Sequence, residues 1–228
     1  MAIKVRGKRY RKDIEGLDLL KALPLKDAVA QLKKFKATKF DQSVNIALHL
    51  GVDPKQADQN LRSAVSLPHG IGKAKRVIAF CKEDVIAAAL EAGAIKAGGE
   101  SLVAEVEAGW LDFDVAIASP DMMRVASKLG KVLGPKGLMP TPKNGTVTPN
   151  VVQAVKEFAA GKVEFRNDAG GNIHCVVGKL SFPAEKLEQN IQAFIDTITK
   201  LKPASVKGQY IKKISLAGSM TPGVLVQF

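Results

Sequence analysis

The chain has 228 residues, of which 46% are hydrophobic and 5% aromatic, so it can bury one large core or two modest ones. It contains no run of about 18 apolar residues, which argues against a membrane-spanning helix, and its basic start lacks the apolar segment of a secretory signal. The two cysteines, Cys81 and Cys175, have no CxxC spacing, as is typical of buried thiols in a reducing compartment. We therefore expect a cytoplasmic protein.

The net charge of +12 is unevenly distributed along the chain. Residues 68–160 carry 11 basic and 10 acidic side chains, whereas the two ends together carry 23 basic and 12 acidic ones. A positive field attracts polyphosphate chains and releases their counterions. The charge distribution favours a nucleic-acid partner for the two ends.

The N-terminal third begins with a basic arm, residues 1–12, which we expect to be poorly ordered alone and to order on an anionic partner. After Pro24 an apolar stripe at helical spacing predicts an amphipathic helix with a basic outer face. Alternating apolar residues then predict strands over 40–50 and 61–67, separated by a turn capped by Asp53. Pro68, Gly70 and Gly72 interrupt the second strand and are the predicted hinge.

The middle of the chain alternates short apolar runs with helical patterns. The runs are 76–81 and 114–119, and the helical patterns are 82–91, 100–107, 120–131 and 151–160, with a short strand predicted at 94–95. This order predicts a parallel sheet with helices on its faces, a Rossmann-like three-layer α/β domain. Residues 134–149, with four prolines and three glycines, form either a functional loop or a mobile surface loop.

The C-terminal third reads as a hairpin (162–165 and 173–177), a helix opened by Pro183, and two strands (210–216 and 224–228). Neither end of the chain has enough elements to close a core alone. Together they predict an α+β sandwich, an antiparallel sheet with helices on one face. The expected organisation is a discontinuous domain, 1–67 plus 161–228, with domain 68–160 inserted and Gly161 at the exit hinge.

No pattern in the sequence argues for an enzyme. Gly70-Ile-Gly72-Lys73 lacks the spacing and the hydroxyl of a phosphate-binding loop, and the Asp112-Phe-Asp114 pair precedes a buried strand, where acidic residues commonly mark a loop. The histidines and cysteines do not fall at metal-ligand spacings. We expect no catalytic residue, no metal and no cofactor.

Several other residues suit nucleic-acid binding. Phe40, which follows Lys39 at the start of a strand, is either a core residue or an aromatic that stacks on a base while the ammonium reaches a phosphate. Met220 lies in a turn that is too polar and glycine-rich to bury it. Arg166 and Asn167, at the predicted hairpin turn, offer a guanidinium and an amide.

Four segments carry a resemblance to a known family. They are KFDQSV (39–44), SAVSLPHG (63–70), GPKGLMPTPKNGTV (134–147) and EFRND (164–168). In this order they resemble bacterial large-subunit ribosomal protein L1, the protein of the mobile ribosomal stalk, over nearly the whole chain.

The resemblance implies a protein that binds a stem-loop of large-subunit ribosomal RNA, helps deacylated tRNA leave the exit site, and represses its own operon messenger RNA. It also implies a monomer off the ribosome, with no membrane partner. Its motifs place an RNA face on Lys39, Phe40, Ser43, Arg166, Asn167 and His174, and on the C-terminal turn with Ser219, Met220 and Thr221. Thr221 stands where the family usually has glycine.

Two other readings remain open. In one, the middle domain is an enzyme that binds a small phosphorylated ligand and the basic ends are accessory. The net charge of only +1 over 68–160 counts against it, because a phosphate-binding domain should be basic or present convergent polar residues. In the other, the chain binds duplex DNA without a preference for structure.

Overall fold

The computed structural model describes residues 7–15, 17–18, 21–35 and 38–228, with only the backbone of Ala57. It divides the chain into two compact units. Unit 1 contains Met1–Leu61, Leu67–Gly72 and Phe165–Phe228, and unit 2 contains Arg62–Ser66 and Lys73–Glu164.

The described elements follow in chain order. The helices are α1 (Lys8–Ile14), α2 (Leu25–Lys34), α3 (Glu83–Glu91), α4 (Glu100–Glu107), α5 (Met123–Ala126), α6 (Gly130–Leu133), α7 (Val151–Ala159) and α8 (Ala184–Lys200). The strands are β1 (Ser43–Leu50), β2 (Arg62–Val65), β3 (Val77–Phe80), β4 (Lys96–Gly98), β5 (Val115–Ala118), β6 (Val163–Arg166), β7 (Asn172–Lys179), β8 (Ile211–Gly218) and β9 (Val224–Val226). Short 3₁₀ turns occupy Ala57–Gln59, Ser127–Leu129 and Pro142–Asn144.

Unit 1 is built on a four-stranded antiparallel sheet in the order β7-β1-β8-β9. Every second residue of β1 is buried, and α2 and α8 contact the sheet. Val44, Ile46 and Leu48 are fully buried, as is Phe194 of α8. Burying a side chain of this size contributes about 1.5–3 kcal/mol. The structure confirms the predicted α+β sandwich.

Unit 2 is built on a three-stranded parallel sheet in the order β4-β3-β5. All four residues of β3 are buried because both sheet faces are covered. Val77 and Ala79 pack in a core with residues of α3 and α7, while Ile78 and Phe80 pack in a second core with residues of α4, α5 and α6. The predicted three layers are confirmed.

The predicted hairpin of residues 162–165 and 173–177 is wrong. β7 pairs with β1 over seven positions, and β6 pairs with β2 in a separate two-stranded sheet. Between β6 and β7 there is an isolated bridge, from Asn167 to Ile173. The turn residues between β6 and β7 favour a hairpin, but each strand pairs instead with a strand that is distant in sequence.

The division into units differs from the boundaries expected at 67/68 and 160/161. Arg62 belongs to unit 2, where its guanidinium donates a 2.8 Å hydrogen bond to Asn144 Oδ1, and the Asn144 amide donates to Glu164. Lys75 Nζ donates to the carbonyl of Lys162 at 2.7 Å. These contacts place residues 62–66 and 161–164 in unit 2.

The predicted hinge residues are held by local contacts. Asn190 of α8 accepts from the N–H of His69 at 3.0 Å and donates to the carbonyl of Gly70 at 2.9 Å, which fixes the 67–72 segment, with Pro68 and Gly72, to unit 1. Gly161, with φ +107°, ends α7 in unit 2 because its left-handed backbone suits a helix C-terminus. A hinge at these residues stays a prediction.

Candidate nucleic-acid interface

The first residue of β1 and the turn after β8 meet through two serines. The N–H of Ser43 donates to Ser219 Oγ at 3.2 Å, and the N–H of Ser219 donates to the carbonyl of Ser43 at 3.1 Å. Lys179 Nζ, from β7, donates to Ser43 Oγ at 3.0 Å. These bonds hold together two segments that lie more than 170 residues apart in the chain.

The backbone of Met220 is held from both sides. Its N–H donates to Oε1 of Gln42 at 2.8 Å, and its carbonyl accepts from Arg9 Nη2 at 2.6 Å. Gln42 is 1% exposed, so it is a rigid anchor, whereas Met220 itself is 53% exposed. The turn therefore presents an apolar side chain to solvent on a fixed backbone.

Phe40 is not a core residue. It is 52% exposed, and its carbonyl accepts a 2.7 Å hydrogen bond from Thr38 Oγ1. It lines an open cavity of about 500 Å³ with the exposed Lys39. Asp41 in the same cavity accepts hydrogen bonds from the N–H and hydroxyl of Ser181. Phe40 and Lys39 thus offer a ring face and an ammonium to a ligand.

Thr221 has a structural role in its turn. The side chain is 9% exposed, and its hydroxyl accepts from the N–H of Gly218 at 2.7 Å and donates to the carbonyl of Pro222 at 3.1 Å. A Cβ on Gly218 would lie 3.0 Å from Gln42 Oε1, so this glycine makes room for protein atoms rather than for a ligand. Around Gly223 the same position is open.

A second group of predicted residues lies on β6, in the turn after it and on β7. Arg166 ends β6 with an exposed side chain. Asn167 is 8% exposed, and its Oδ1 accepts from the N–H of Leu61 at 3.1 Å, so the amide oxygen is used inside the protein, while its Nδ2 is buried without a hydrogen-bond partner among the described residues. His174 is exposed, with Nε2 3.8 Å from Oδ2 of Asp168. Hydrogen bonds from Asn172 and Gly170 lower the pKa of Asp168, which keeps it anionic beside His174.

The sheet register separates the two groups. Ser43 pairs with Lys179, and Ala47 pairs with His174. Four residues of strand span about 13 Å. The structure therefore brings Lys39, Phe40, Ser43, Ser219 and Met220 together at one end of β1, and places His174 further along. Thr221 and Asn167 are turned into the protein.

Three residues of the first group were not predicted as site residues: Gln42, Lys179 and Arg9. Arg9 lies in α1, so the second half of the basic arm is helical, whereas residues 1–6 of the predicted arm lie outside the described residues. The contact between Arg9 and Met220 spans 211 positions, and no local pattern signals such a bond.

The Asp112 and Asp114 pair serves an ion-pair cluster in unit 2. The N–H of Arg76 donates to Oδ2 of Asp114 at 3.0 Å, and its guanidinium pairs with both carboxylates. The backbone hydrogen bond and the guanidinium lower the pKa of Asp114. Over residues 7–15, 17–18, 21–35 and 38–228, three or more metal-ligating side chains do not gather at any one place.

Comparison with known proteins identifies the family. A sequence model of the ribosomal protein L1p/L10e family matches residues 32–222. The chain belongs to this family. It is 51% identical over 220 residues to large ribosomal subunit protein uL1 of Nitratidesulfovibrio vulgaris strain Miyazaki F, covering 96% of this chain and 94% of that protein. It is 49% identical to the uL1 protein of Protochlamydia amoebophila, covering 96% and 93%.

Membership in the ribosomal protein L1 family fixes the broad role of the chain. It is a structural, non-enzymatic constituent of the large ribosomal subunit, located in the cytoplasm with the ribosome. This membership shows that the interpretation of unit 2 as an enzyme is wrong.

Among the helices that the structure describes, none has the length and apolar character needed to cross a membrane.

Proposed function

We propose that unit 1 binds the stem-loop of large-subunit ribosomal RNA that forms the mobile stalk. The observation that carries this proposal is the pairing of Ser43 with Ser219. It places Phe40 and Met220, each about half exposed, at one end of the sheet. Exposed apolar side chains on rigid backbones suit stacking on bases and packing on riboses.

The charge distribution also favours unit 1 as the RNA-binding unit. By its sequence, unit 1 carries 21 basic and 11 acidic residues, and unit 2 carries 13 basic and 11 acidic residues. Lys39 precedes Phe40 and Lys179 donates to Ser43, while His174 lies further along β7 and Arg166 ends β6 with an exposed side chain. The lysines would contact phosphates, which position the RNA, while the side chains between them read its shape.

The test uses the full chain and a stalk stem-loop RNA. Phe40→Ala and Met220→Ala are compared with Phe228→Ala, which removes a ring that is 59% exposed elsewhere in unit 1. Losing one stacked base costs about 1–3 kcal/mol, or roughly 5- to 150-fold in affinity. We expect Phe40→Ala to weaken binding within this range, Met220→Ala to weaken it less, and Phe228→Ala to leave it unchanged.

An unrelated RNA duplex and a DNA duplex of equal length complete the design. If Phe40→Ala binds the stem-loop as tightly as Phe228→Ala does, the site assignment fails. If the wild-type chain binds the three nucleic acids alike at every salt concentration, selective recognition fails and general DNA binding takes its place. The slope of log affinity against log salt, measured for each nucleic acid, gives the number of its phosphates that the chain contacts.

Two finer roles rest on the family resemblance. We propose that the chain helps release deacylated tRNA from the exit site as part of the stalk, and represses its own operon messenger RNA by binding a similar stem-loop. A single surface would then serve ribosomal and messenger RNA, so the messenger leader should compete with the stalk stem-loop, and Phe40→Ala should weaken both. Off the ribosome we expect a monomer, which sedimentation tests directly.

A further inference from the structure

The small net charge of unit 2 conceals a strong segregation of charge. Residues 122–156 contain six basic side chains and no acidic one, while the rest of unit 2 contains seven basic and eleven acidic side chains. A net charge near zero is therefore the sum of a basic segment and an acidic remainder. The two parts differ in whether their cations have polar partners within the unit.

The seven cations outside this segment all have polar partners within unit 2. Ion pairs engage Lys73, Arg76, Lys82, Lys96 and Lys162. Arg62 donates to the side chain of Asn144, and Lys75 donates to a backbone carbonyl. Each of these cations must give up a polar contact within the unit before it can bind a partner.

The cations of residues 122–156 are different. All six are exposed, and none forms an ion pair with any residue in the described part of the chain. Four of them follow the helical run of α5, the 3₁₀ turn and α6, and the turn after it: Arg124, Lys128, Lys131 and Lys136. We call these four residues the basic stripe.

The helical run exposes three residues of the basic stripe. Arg124 in α5, Lys128 in the 3₁₀ turn and Lys131 in α6 are all exposed. Ala126, Leu129 and Leu133 of the same run are fully buried, so the packed side and the charged side are distinct.

The turn that carries Lys136 is tied back to α6 by the hydrogen bond from the N–H of Leu138 to the carbonyl of Leu133. Next to Lys136, Gly137 has φ +71°, and a Cβ built on it would meet no atom within 4 Å. The backbone at this point is therefore open to close approach.

We infer that the basic stripe is a second RNA-contacting surface, which binds the phosphate backbone of a structured RNA independently of the surface on unit 1. Lysines without carboxylate partners release counterions from phosphates at little cost, since no ion pair is broken. Phosphates spaced along an RNA strand match a row of single charges, and the open backbone at Gly137 lets a sugar-phosphate chain approach.

The test compares two charge-matched double variants of the full chain. Lys128→Gln/Lys131→Gln removes two cations of the basic stripe, and Lys82→Gln/Lys96→Gln removes two ion-paired cations of the same unit. The probes are the stalk stem-loop and bulk deacylated tRNA. Each is titrated at salt concentrations between about 50 and 300 mM, a range that includes physiological ionic strength. Each phosphate contact contributes about 0.7–0.9 to the slope of log affinity against log salt.

We expect the basic-stripe variant to lose about 1.4–1.8 in slope and on the order of tenfold in affinity at low salt for at least one RNA, and the control variant to lose little. A loss for tRNA alone identifies tRNA as the ligand, and a loss for the stem-loop identifies the stalk. Equal behaviour of the two variants overturns the inference.

Poly-L-glutamate is the last probe. If removal of the basic stripe weakens its binding more than that of either RNA, the surface serves an acidic protein and the inference is wrong. Phe40→Ala, measured in parallel, separates the two proposals. If it weakens stem-loop binding while the basic-stripe variant does not, the surface on unit 1 stands and the basic stripe falls.

Discussion

Asn190 of α8 should contribute strongly to the stability of unit 1. It is fully buried, and its amide makes three hydrogen bonds inside the unit. Oδ1 accepts from the N–H of His69 at 3.0 Å, and Nδ2 donates to the carbonyls of Gly70 at 2.9 Å and Val177 at 2.8 Å. One side chain thereby joins α8, β7 and the 67–72 segment.

We expect Asn190→Ala to lower the free energy of unfolding of unit 1 by about 3 kcal/mol. Each hydrogen bond contributes about 1 kcal/mol net, and the substitution leaves one donor and two acceptors without their partner, one of the acceptors in a buried position. With a urea dependence of about 1–3 kcal/mol per molar, the midpoint should fall by roughly 1–3 M. Gln192→Ala changes an exposed residue of the same helix and should stay within about 0.5 kcal/mol.

Urea unfolding followed by far-UV circular dichroism measures the effect, and the fluorescence of Trp110 reports on unit 2, to which this residue belongs. Asn190→Asp provides a second test, through the pH dependence of stability. It keeps an acceptor for His69 but turns a carboxylate toward two carbonyls, so it should be less stable at pH 7 than at pH 5. If Asn190→Ala unfolds at the same urea concentration as Gln192→Ala, the three bonds do not hold the segment and the reasoning is refuted.

Two further predictions concern stability. Burial raises the pKa of Glu164 above that of an unfolded glutamate. The folded state therefore loses stability as the pH rises from the unfolded pKa through the folded one. Glu164→Gln should remove this loss and raise the urea midpoint at pH 7.5 more than at pH 5. Gly178→Ala would place a Cβ 2.8 Å from Leu187 and should cost about 1–3 kcal/mol, whereas Gly223→Ala, in open space, should change the urea midpoint little.

The elements of the fold could be predicted because their signals are local. The alternation in β1 and the continuous apolar run of β3 each reflect how many faces of the strand are covered. The predicted strand at 94–95 appears two residues later, as β4, and the helix predicted over 120–131 is α5, a 3₁₀ turn and α6. Strand partners were harder, because β6 and β7 are close in sequence but pair with β2 and β1.

The candidate site shows the same limit. Phe40 and Met220 could be selected from the sequence because an apolar residue beside glycine, lysine or a strand start is conspicuous. Asn167 was selected by its place at the predicted hairpin turn and Thr221 by the resemblance, but Asn167 Oδ1 and the Thr221 hydroxyl form hydrogen bonds inside the protein. Exposure of a polar side chain depends on what the rest of the chain places next to it, and no local pattern carries that information.

Charge summed over a segment was the least informative quantity, since it treats a paired and an unpaired lysine alike. Lys96, paired with Glu105, and Lys128, exposed and without an ion pair among the described residues, add the same unit to the total of unit 2. An ion-paired cation must break its pair to bind a phosphate, and a solvated one need not. Pairing must therefore be considered residue by residue, and in unit 2 the exposed cations without ion pairs among the described residues lie together in residues 122–156, which gives that segment a basic surface although the net charge of the unit is small.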